Sequence, residues 1–288
     1  MTSVMRVAAS RQWLLRNLFL GLGILLAAGY WWFLTTGKGS PVDALAYWTA
    51  NPNDLYPHPE LLQQNGYNYS PAFELVIGWG RLLPFETFVA IWRAVLLVTL
   101  VWLAGPLTLF VLLLPPVASE VNAGNIQFLL AAAIVIGFRW PGTWAFVLLT
   151  KVSPGAGLLW FALRREWRKL AIALVVTAAI ALVTFAIWPD RWIGWIRLLT
   201  AGSPPPVSPY YWSIWLRLPF AIAFIVLGAW RGWRWPVVVG ATLALPVFFF
   251  LSPSMLVGVL PYLRSATGRW LERLHQQASP GFGANLAS

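Results

Sequence analysis

The stretch Gly39–Pro71, GSPVDALAYWTANPNDLYPHPELLQQNGYNYSP, decides how the rest of the chain is organised. It is polar, aromatic and rich in proline, whereas the sequence on either side is apolar enough to lie in a bilayer. It holds three of the nine acidic residues, Asp43, Asp54 and Glu60. Because it follows a hydrophobic run that ends near Leu34, we predict that it lies at a membrane surface, level with the lipid head groups.

The composition is that of an integral membrane protein. Of the 288 residues, 59% are hydrophobic and only 10% are charged, whereas soluble domains carry roughly 25% charged residues. The net charge of +11 would indicate nucleic-acid binding in a soluble chain. Here we interpret the basic residues as markers of cytoplasmic loops and as contacts to anionic lipids. Membrane lipids are therefore an expected partner, and nucleic acid is not.

Ten apolar segments predict an all-α polytopic membrane bundle. The first, residues 13–34, follows a basic N-terminus and ends in YWWFL, a poor cleavage site, so we interpret it as an uncleaved first helix. Several later segments are shorter than the roughly 17 residues of a simple span, and they are expected to be broken or re-entrant around a cavity. The other nine predicted segments are Pro71–Leu83, Phe85–Ala104, Pro106–Val117, Ile126–Phe138, Trp144–Leu163, Leu170–Trp188, Tyr210–Trp230, Trp235–Leu251 and Ser254–Tyr262.

The polar stretches set the predicted topology. Ala118–Asn125 is expected to be a turn and Pro189–Pro209 a proline-rich loop. With the N-terminus inside, 13 of the 20 basic residues fall on the inner side and four on the outer side, as the positive-inside rule requires. We therefore expect a single membrane domain with an outer catalytic loop at 35–71, a helical core at 72–188, an outer loop at 189–209, C-terminal helices at 210–263 and a cytoplasmic tail at 264–288.

Common soluble-enzyme motifs are absent from the sequence. It contains no Walker P-loop, no Rossmann fingerprint after a strand, no HExxH and no GxSxG. His58 and His275 are its only histidines, and His58 is expected to be a loop residue. A zinc site, a histidine-based triad and a nucleotide-fuelled enzyme are all disfavoured, and no cofactor or metal is expected.

Two charged residues are the strongest candidates for chemistry. Asp43 at a dry interface is a candidate general base, because burial raises a carboxyl pKa and lets it accept a proton from a hydroxyl. The alternative is that Asp43 caps the helix that DALAYW begins. Lys151 is a cation inside an apolar segment, which favours a functional role such as phosphate binding. The alternative is a lysine that snorkels near a helix break.

Further polar residues are weaker candidates. The arginines among them share the status of Lys151 with a weaker context, whereas for the acid and the amides ordinary hydrogen bonding in loops or between helices is an alternative of at least equal weight. Arg217 lies near the outer half of its segment, within reach of a phosphate at the outer surface. Tyr47 lies four residues after Asp43 and shares its helical face. The remaining candidates are Arg93, Glu74, Asn122, Asn125 and Gln127.

The order of these motifs resembles glycosyltransferase family 87, the polyprenyl-phosphate-mannose-dependent mannosyltransferases, which have the GT-C membrane fold. The resemblance covers roughly residues 13–262. In this chain the family's usual Gly-Gln-x-Asn turn has its amides exchanged. The motifs that carry the resemblance are Asp43-Ala-Leu-Ala-Tyr47, Leu55-Tyr56, Tyr69-Ser70-Pro71, Pro84, Gly124-Asn125-x-Gln127, Lys151-x-x-Pro154, the basic loop RREWRK and Leu251-Ser252-Pro253.

The resemblance implies a membrane hexosyltransferase that inverts the sugar's anomeric centre. Its donor would be a polyprenyl-phosphate sugar, with mannose as the expected sugar, and its acceptor a lipid or glycan on the outer face of the cell membrane. Asp43 would be the catalytic base. The substrate-binding residues would be Tyr47, Tyr69, Asn125, Gln127 and Lys151, with Arg217 a further candidate for the donor phosphate.

Two other classes of function remain open at this point. A flippase for lipid-linked substrates, or a small-solute transporter, also uses broken helices and buried cations. Either protein would be expected to have discontinuous segments at matching positions in the two halves of the chain, and the sequence shows no such repeat. A non-catalytic membrane scaffold would need neither the outward Asp43 nor the intramembrane Lys151.

Overall fold

A computed structural model of the protein describes residues 2–57, 66–200 and 213–264, with side chains from Ser10 onward. These residues form helices joined by turns, and no β-strand occurs among them. Glu60, His58 and His275 lie outside the described residues, as do the end of the predicted 189–209 loop, the start of the Tyr210–Trp230 segment and the tail after Arg264.

The α-helices of the described residues vary widely in length. Short 3-10 turns connect many of them, and a kinked turn at Leu34–Lys38, with non-helical backbone at Thr36 and Gly37, follows the first. The helices are α1 Thr2–Phe33, α2 Val42–Thr49, α3 Glu74–Ile77, α4 Phe85–Ala104, α5 Thr108–Val111, α6 Pro115–Ala123, α7 Gln127–Gly137, α8 Trp144–Thr150, α9 Leu159–Leu163, α10 Trp167–Ile187, α11 Pro189–Thr200, α12 Ile214–Arg231 and α13 Trp235–Leu243.

Four stretches of the described chain are long and apolar enough to cross a membrane: Ser10–Lys38, Phe85–Val111, Trp167–Ile187 and Ile214–Arg231. A fifth is added if α6 and α7, which meet at 104°, form one broken span. The prediction of an all-α membrane protein agrees with this architecture. The predicted count of about ten transmembrane or partly spanning helices is not confirmed.

Two predicted apolar segments are interrupted where prolines stand. Pro106–Val117 is divided, because α5 ends at Val111 and Pro115 occupies the first position of α6, where its missing N–H costs nothing. Trp235–Leu251 stops being helical at Leu243. Pro246 follows shortly afterwards, and proline cannot continue a helix without losing a backbone hydrogen bond.

Two predicted polar connections are instead helical. The expected turn at Ala118–Asn125 is largely part of α6, which ends at Ala123 and is followed by Gly124 in the left-handed conformation as its C-cap. The expected loop at Pro189–Pro209 begins with the amphipathic helix α11. The buried side chains of helix α11 are spaced three residues apart and therefore lie on one face of the helix. They are Trp192, Trp195 and Leu198.

Helix α4 fixes the start of the short helix α2. The buried Arg93 guanidinium donates to the carbonyl of Leu34 through Nη1 at 3.0 Å and to the carbonyl of Asn122 through Nη2 at 2.7 Å. The Asn122 Oδ1 in turn accepts the backbone N–H of Ser40 at 2.7 Å. These bonds join the end of the first helix, α6 and the entry to α2, so Arg93 holds the segment that carries Asp43.

Replacing Arg93 with Met removes these donors while keeping a long apolar stem. We expect the free energy of unfolding to fall by about 1–3 kcal/mol for each buried acceptor left unpaired. This fall should lower the unfolding midpoint by roughly 2–10 °C. Thermal unfolding of the detergent-purified protein measures this. Arg139→Met, at an exposed arginine stacked on Trp140, is the matched control, and an equal fall in both variants would contradict the role given to Arg93.

Candidate active site

One cavity gathers most of the residues that the sequence singled out. It has a volume of about 470 Å³, within the range of small-molecule sites. Its walls come from the start of α2, the α6–α7 turn, the residues after α8, helix α11 and the stretch 246–252. Five of the seven predicted site residues line it, namely Asp43, Tyr69, Asn125, Gln127 and Lys151.

Asp43 lies in the first turn of α2 and lines the cavity. The N-cap of that helix is Pro41, and no side chain caps it. The alternative prediction that Asp43 is the N-cap is therefore wrong. Burial raises the pKa of the Asp43 carboxyl above its ordinary value, while the Lys151 ammonium and the Asn125 side chain oppose the shift. A raised pKa brings a carboxylate closer to the working pH of a general base.

Lys151 follows the last residue of α8, where the backbone becomes extended with φ −135° and ψ 101°. Its ammonium is within electrostatic range of Glu120 and Asp43. None of the ion pairs within 4.0 Å found in the described chain includes it. A lysine that lines a polar cavity without a close carboxylate is well placed to receive an anionic ligand.

The α6–α7 turn brings the amides of Asn125 and Gln127 to the same cavity. Gly124 opens this turn with φ 76° and ψ 31°, a conformation that favours glycine. A Cβ on Gly124 would lie 2.8 Å from the Cβ of Ala44, the neighbour of Asp43. The Trp92 Nε1 donates to the Gly124 carbonyl at 2.7 Å. Close packing of the turn on α2 thus sets the position of the carboxylate relative to the amides.

Tyr69 lines the cavity, and Tyr47 supports it from the protein interior. Their hydroxyls are 3.1 Å apart and their rings meet edge to face at 5.5 Å. Burial raises the pKa of both phenols, so they remain neutral hydroxyls. The hydroxyl of Ser70 donates to the carbonyl of Leu149, which holds this segment against the end of α8.

The structure places Arg217 away from the cavity wall. Its guanidinium is buried, donates to the carbonyls of Leu243 and Leu245, and lies 5.0 Å from the ring centre of Phe248. A basic side chain commonly satisfies the last carbonyls of a helix in this way. Arg217 therefore holds the chain where α13 ends, just before the residues 246–252 that line the cavity.

Glu120 is the residue near this site that the sequence analysis missed. It is fully buried in α6, and its Oε1 accepts the backbone N–H of Gln127 at 2.6 Å. Both Lys151 and Asp43 lie within its electrostatic range. The signal was an acid close to an apolar run, but Ala118–Asn125 was interpreted as a polar turn.

A second, almost wholly apolar cavity adjoins the first. Its volume is about 610 Å³, and it lies between α3, α4, α7, α8 and α10. Thr150 lines both cavities, whereas Phe146 and Leu149 line only the apolar one and Lys151 only the polar one. Along α8 the chain therefore passes from an apolar wall to a cation within a few residues. No group of three or more His, Cys, Asp or Glu side chains in the described ranges is arranged to hold a metal ion.

The sequence profile of glycosyltransferase family 87 matches residues 67–274, more than two thirds of the chain. The chain belongs to glycosyltransferase family 87. The match includes Tyr69, the α6–α7 turn and Lys151, and it begins after Asp43 and Tyr47. No curated protein and no solved structure matches the chain. Membership makes this protein a membrane glycosyltransferase, acting on a sugar donor and an acceptor.

Replacing Gly124 with Ala tests the packing of the turn on α2 in this family-87 protein. A left-handed alanine costs roughly 1–2 kcal/mol, and the added Cβ would meet Ala44 at 2.8 Å. We expect a lower unfolding midpoint together with weakened sugar transfer, because Asp43 is displaced. Gly21→Ala, where an added Cβ meets nothing within 4 Å, is the control. Wild-type stability and transfer in Gly124→Ala would refute the argument.

Proposed function

We propose that this glycosyltransferase moves mannose from a polyprenyl-phosphate donor to a hydroxyl of a lipid or glycan acceptor, with inversion at the anomeric carbon. The observation that carries the proposal is the placement of the Asp43 carboxylate and the Lys151 ammonium on one cavity. The adjoining apolar cavity, which shares Thr150, supports a donor that is both anionic and lipid.

In the proposed mechanism Asp43 acts as the general base. It accepts the proton of the acceptor hydroxyl as the acceptor oxygen forms a bond to the sugar C1. The bond from C1 to the phosphate oxygen breaks, and its electron pair leaves with the lipid phosphate. A single displacement of this kind inverts the anomeric carbon, and the proton ends on the Asp43 carboxylate.

Lys151 supplies the positive charge that the leaving phosphate needs. A fixed cation in a cavity shielded from bulk water stabilises developing negative charge more strongly than it would in water. Tyr69, Asn125 and Gln127 line the same cavity and offer hydroxyl and amide groups to the sugar and the acceptor. Tyr47 acts through its hydrogen bond to Tyr69. Arg217 is assigned no contact with the phosphate; it holds the chain just before the cavity-lining residues 246–252.

The proposed position of the site is the outer face of the cell membrane. Two features support it: Asp43 follows the first span Ser10–Lys38, and 13 of the 20 basic residues fall on the inner side of the predicted topology against four on the outer side. A donor in that leaflet would present its phosphate at the level of α2.

The direct test is transfer by the purified protein. It is incubated with radiolabelled polyprenyl-phosphate-mannose and with lipid and glycan acceptors, and the products are separated by chromatography. We expect a mannosylated acceptor and release of polyprenyl phosphate in equal amount. Label that crosses a proteoliposome bilayer without being transferred would instead indicate a flippase.

Replacing Asp43 with Asn removes the base but keeps the size of the side chain. We expect kcat to fall by about 10²–10⁴-fold with an unchanged unfolding midpoint. Because burial raises the pKa of the Asp43 carboxyl, wild-type kcat/KM should decline at low pH in a limb that lies above the ordinary aspartate value. The residual activity of Asp43→Asn should lack that limb, and full activity in this variant would remove Asp43 from the mechanism.

Replacing Ala132 with Phe tests the apolar cavity. Ala132 is on its wall, so a phenyl ring would occupy space that we assign to the prenyl chain. We expect KM for a long-chain donor to rise about tenfold, roughly 1.4 kcal/mol, while a donor with a short prenyl chain is used as by the wild type. Ala94→Phe, on the open groove between α1 and α4, is the control. Equal losses for both donors would argue against a chain-binding role.

A further inference from the structure

Many polar side chains that line the polar cavity are already hydrogen-bonded within the protein. The hydroxyls of Thr150 and Ser252 bond to main-chain groups of nearby residues, and Asn125 accepts a main-chain N–H at 2.7 Å. The hydroxyl of Tyr69 lies 3.1 Å from that of Tyr47. These bonds use part of the hydrogen-bonding capacity of the cavity wall.

Three other side chains of the same wall each have a buried polar atom without a partner in the described chain. These atoms are the Oε1 of Gln127, the Oγ of Ser153 and the Nε1 of Trp195. Together they offer an acceptor, a hydroxyl that can donate and accept, and a donor. Among the described residues, no side chain on the wall of the apolar cavity has such an atom. The unsatisfied groups therefore belong to the cavity that suits a polar ligand.

Unsatisfied groups of this kind can distinguish one ligand from another. A buried donor or acceptor without a partner destabilises a protein, and native structures contain few of them. A ligand hydroxyl that pairs with such a group removes the cost, whereas a ligand that lacks the hydroxyl leaves the group unpaired and is rejected. A hexose ring, which carries several hydroxyls, is therefore the class of ligand that these three groups fit.

Helix α11 holds Trp195 in place on the cavity wall. Trp192, three residues earlier, meets the Trp195 ring edge to face at 5.4 Å and donates to the hydroxyl of Thr184 in α10 at 3.2 Å. Between them, a Cβ added to Gly194 would lie 3.0 Å from the ring of Tyr56. This close packing on both neighbours fixes the helix, so the position of the indole is set before a ligand binds.

Ser153 lies two residues after Lys151, to which we assign the donor phosphate. Both residues belong to the short connection between α8 and α9, and both line the cavity. In a polyprenyl-phosphate sugar the ring is joined directly to the phosphate. A hydroxyl so close in the chain to the phosphate-binding cation is therefore placed for the transferred sugar, not for a distant part of the acceptor.

We propose that Trp195, Ser153 and Gln127 form a subsite that binds hydroxyls of the transferred hexose, and that Trp195 and Ser153 determine which sugar is accepted. The inference deepens the proposed function and rests on it for the nature of the donor. Asp43 and Lys151 serve the transfer itself, while the three side chains of the subsite position the ring for it.

Monodeoxy donors, each lacking one hydroxyl of the sugar, test the subsite. The full-length protein in detergent is assayed with polyprenyl-phosphate-mannose and with each analogue. For the wild type we expect kcat/KM to fall about 10- to 100-fold for at least one analogue. Trp195→Phe keeps an aromatic ring but has no N–H. It should show that loss already with the complete donor, and no further loss with that analogue.

Trp192→Phe is the matched control, because it makes the same chemical change on the same helix. Trp192 does not line the cavity, and its Nε1 is bonded to Thr184. We expect a lower unfolding midpoint but the wild-type pattern across the analogues. Wild-type kinetics in Trp195→Phe, or equal further losses for every analogue in that variant, would overturn the assignment of Trp195 while leaving the transfer mechanism in place.

Ser153→Ala makes a smaller change to the same subsite. We expect it to lose the discrimination against one analogue, by about tenfold. If Trp195→Phe does not fold, this variant decides the matter. Wild-type discrimination against every analogue in Ser153→Ala would then refute the subsite, and its loss at a single hydroxyl would support it.

Donor binding separates this proposal from the proposed function, because binding needs neither an acceptor nor transfer. A polyprenyl-phosphate-mannose with a short prenyl chain should raise the unfolding midpoint of the wild type and of Trp192→Phe. The rise should be smaller in Trp195→Phe and in Ser153→Ala. If these differences appear but no acceptor is mannosylated, the subsite stands and the transferase mechanism fails. A donor that stabilises all of these proteins equally, or none of them, would refute the subsite.

Discussion

Charge inside an apolar protein has to be balanced, and this requirement governs the arrangement of the molecule. Arg93, in α4, is balanced by main-chain and side-chain oxygens of two other segments, Leu34 at the end of α1 and Asn122 in α6, and its bonds tie α1, α4 and α6 together. Lys151 lines the cavity opposite the start of α2 and belongs to none of the ion pairs found in the described chain. The contacts of Arg93 bring α2 to its place, and α2 completes the cavity that this cation lines.

The same requirement explains why much of the site was predictable. Few ionisable residues interrupt the apolar sequence, so a carboxylate after the first span and a lysine within a later segment stand out. Asp43 and Lys151 do line one cavity, together with Tyr69 and the two amides of the turn. The family resemblance drew on the same residues, and the family is confirmed by a match over residues 67–274.

The features that could not be predicted depend on contacts between residues that are distant in sequence. Arg217 has the character of a phosphate ligand, yet its partners are carbonyls 26 and 28 residues further along. Glu120 was not predicted to lie near the site, because a polar sequence that begins with two prolines is equally typical of a turn and of a short helix. The predicted number of transmembrane or partly spanning helices is not confirmed for a related reason: apolar composition does not distinguish a crossing helix from short pieces that surround a cavity.

Helix α11 has a consequence for how the cavity is reached. Its Trp195 and Leu199 form part of the cavity wall, while Ile193 and Ile196 on its other side are 41% and 51% exposed. A helix with apolar side chains on its outer surface is typical of the boundary between lipid and water, where binding depends on curvature and lipid composition. One wall of the cavity therefore carries, on its outer side, the exposed apolar side chains expected of a helix at such a boundary. The lipid composition and curvature of the surrounding leaflet would then be expected to influence sugar transfer, because one wall of the cavity would itself contact lipid.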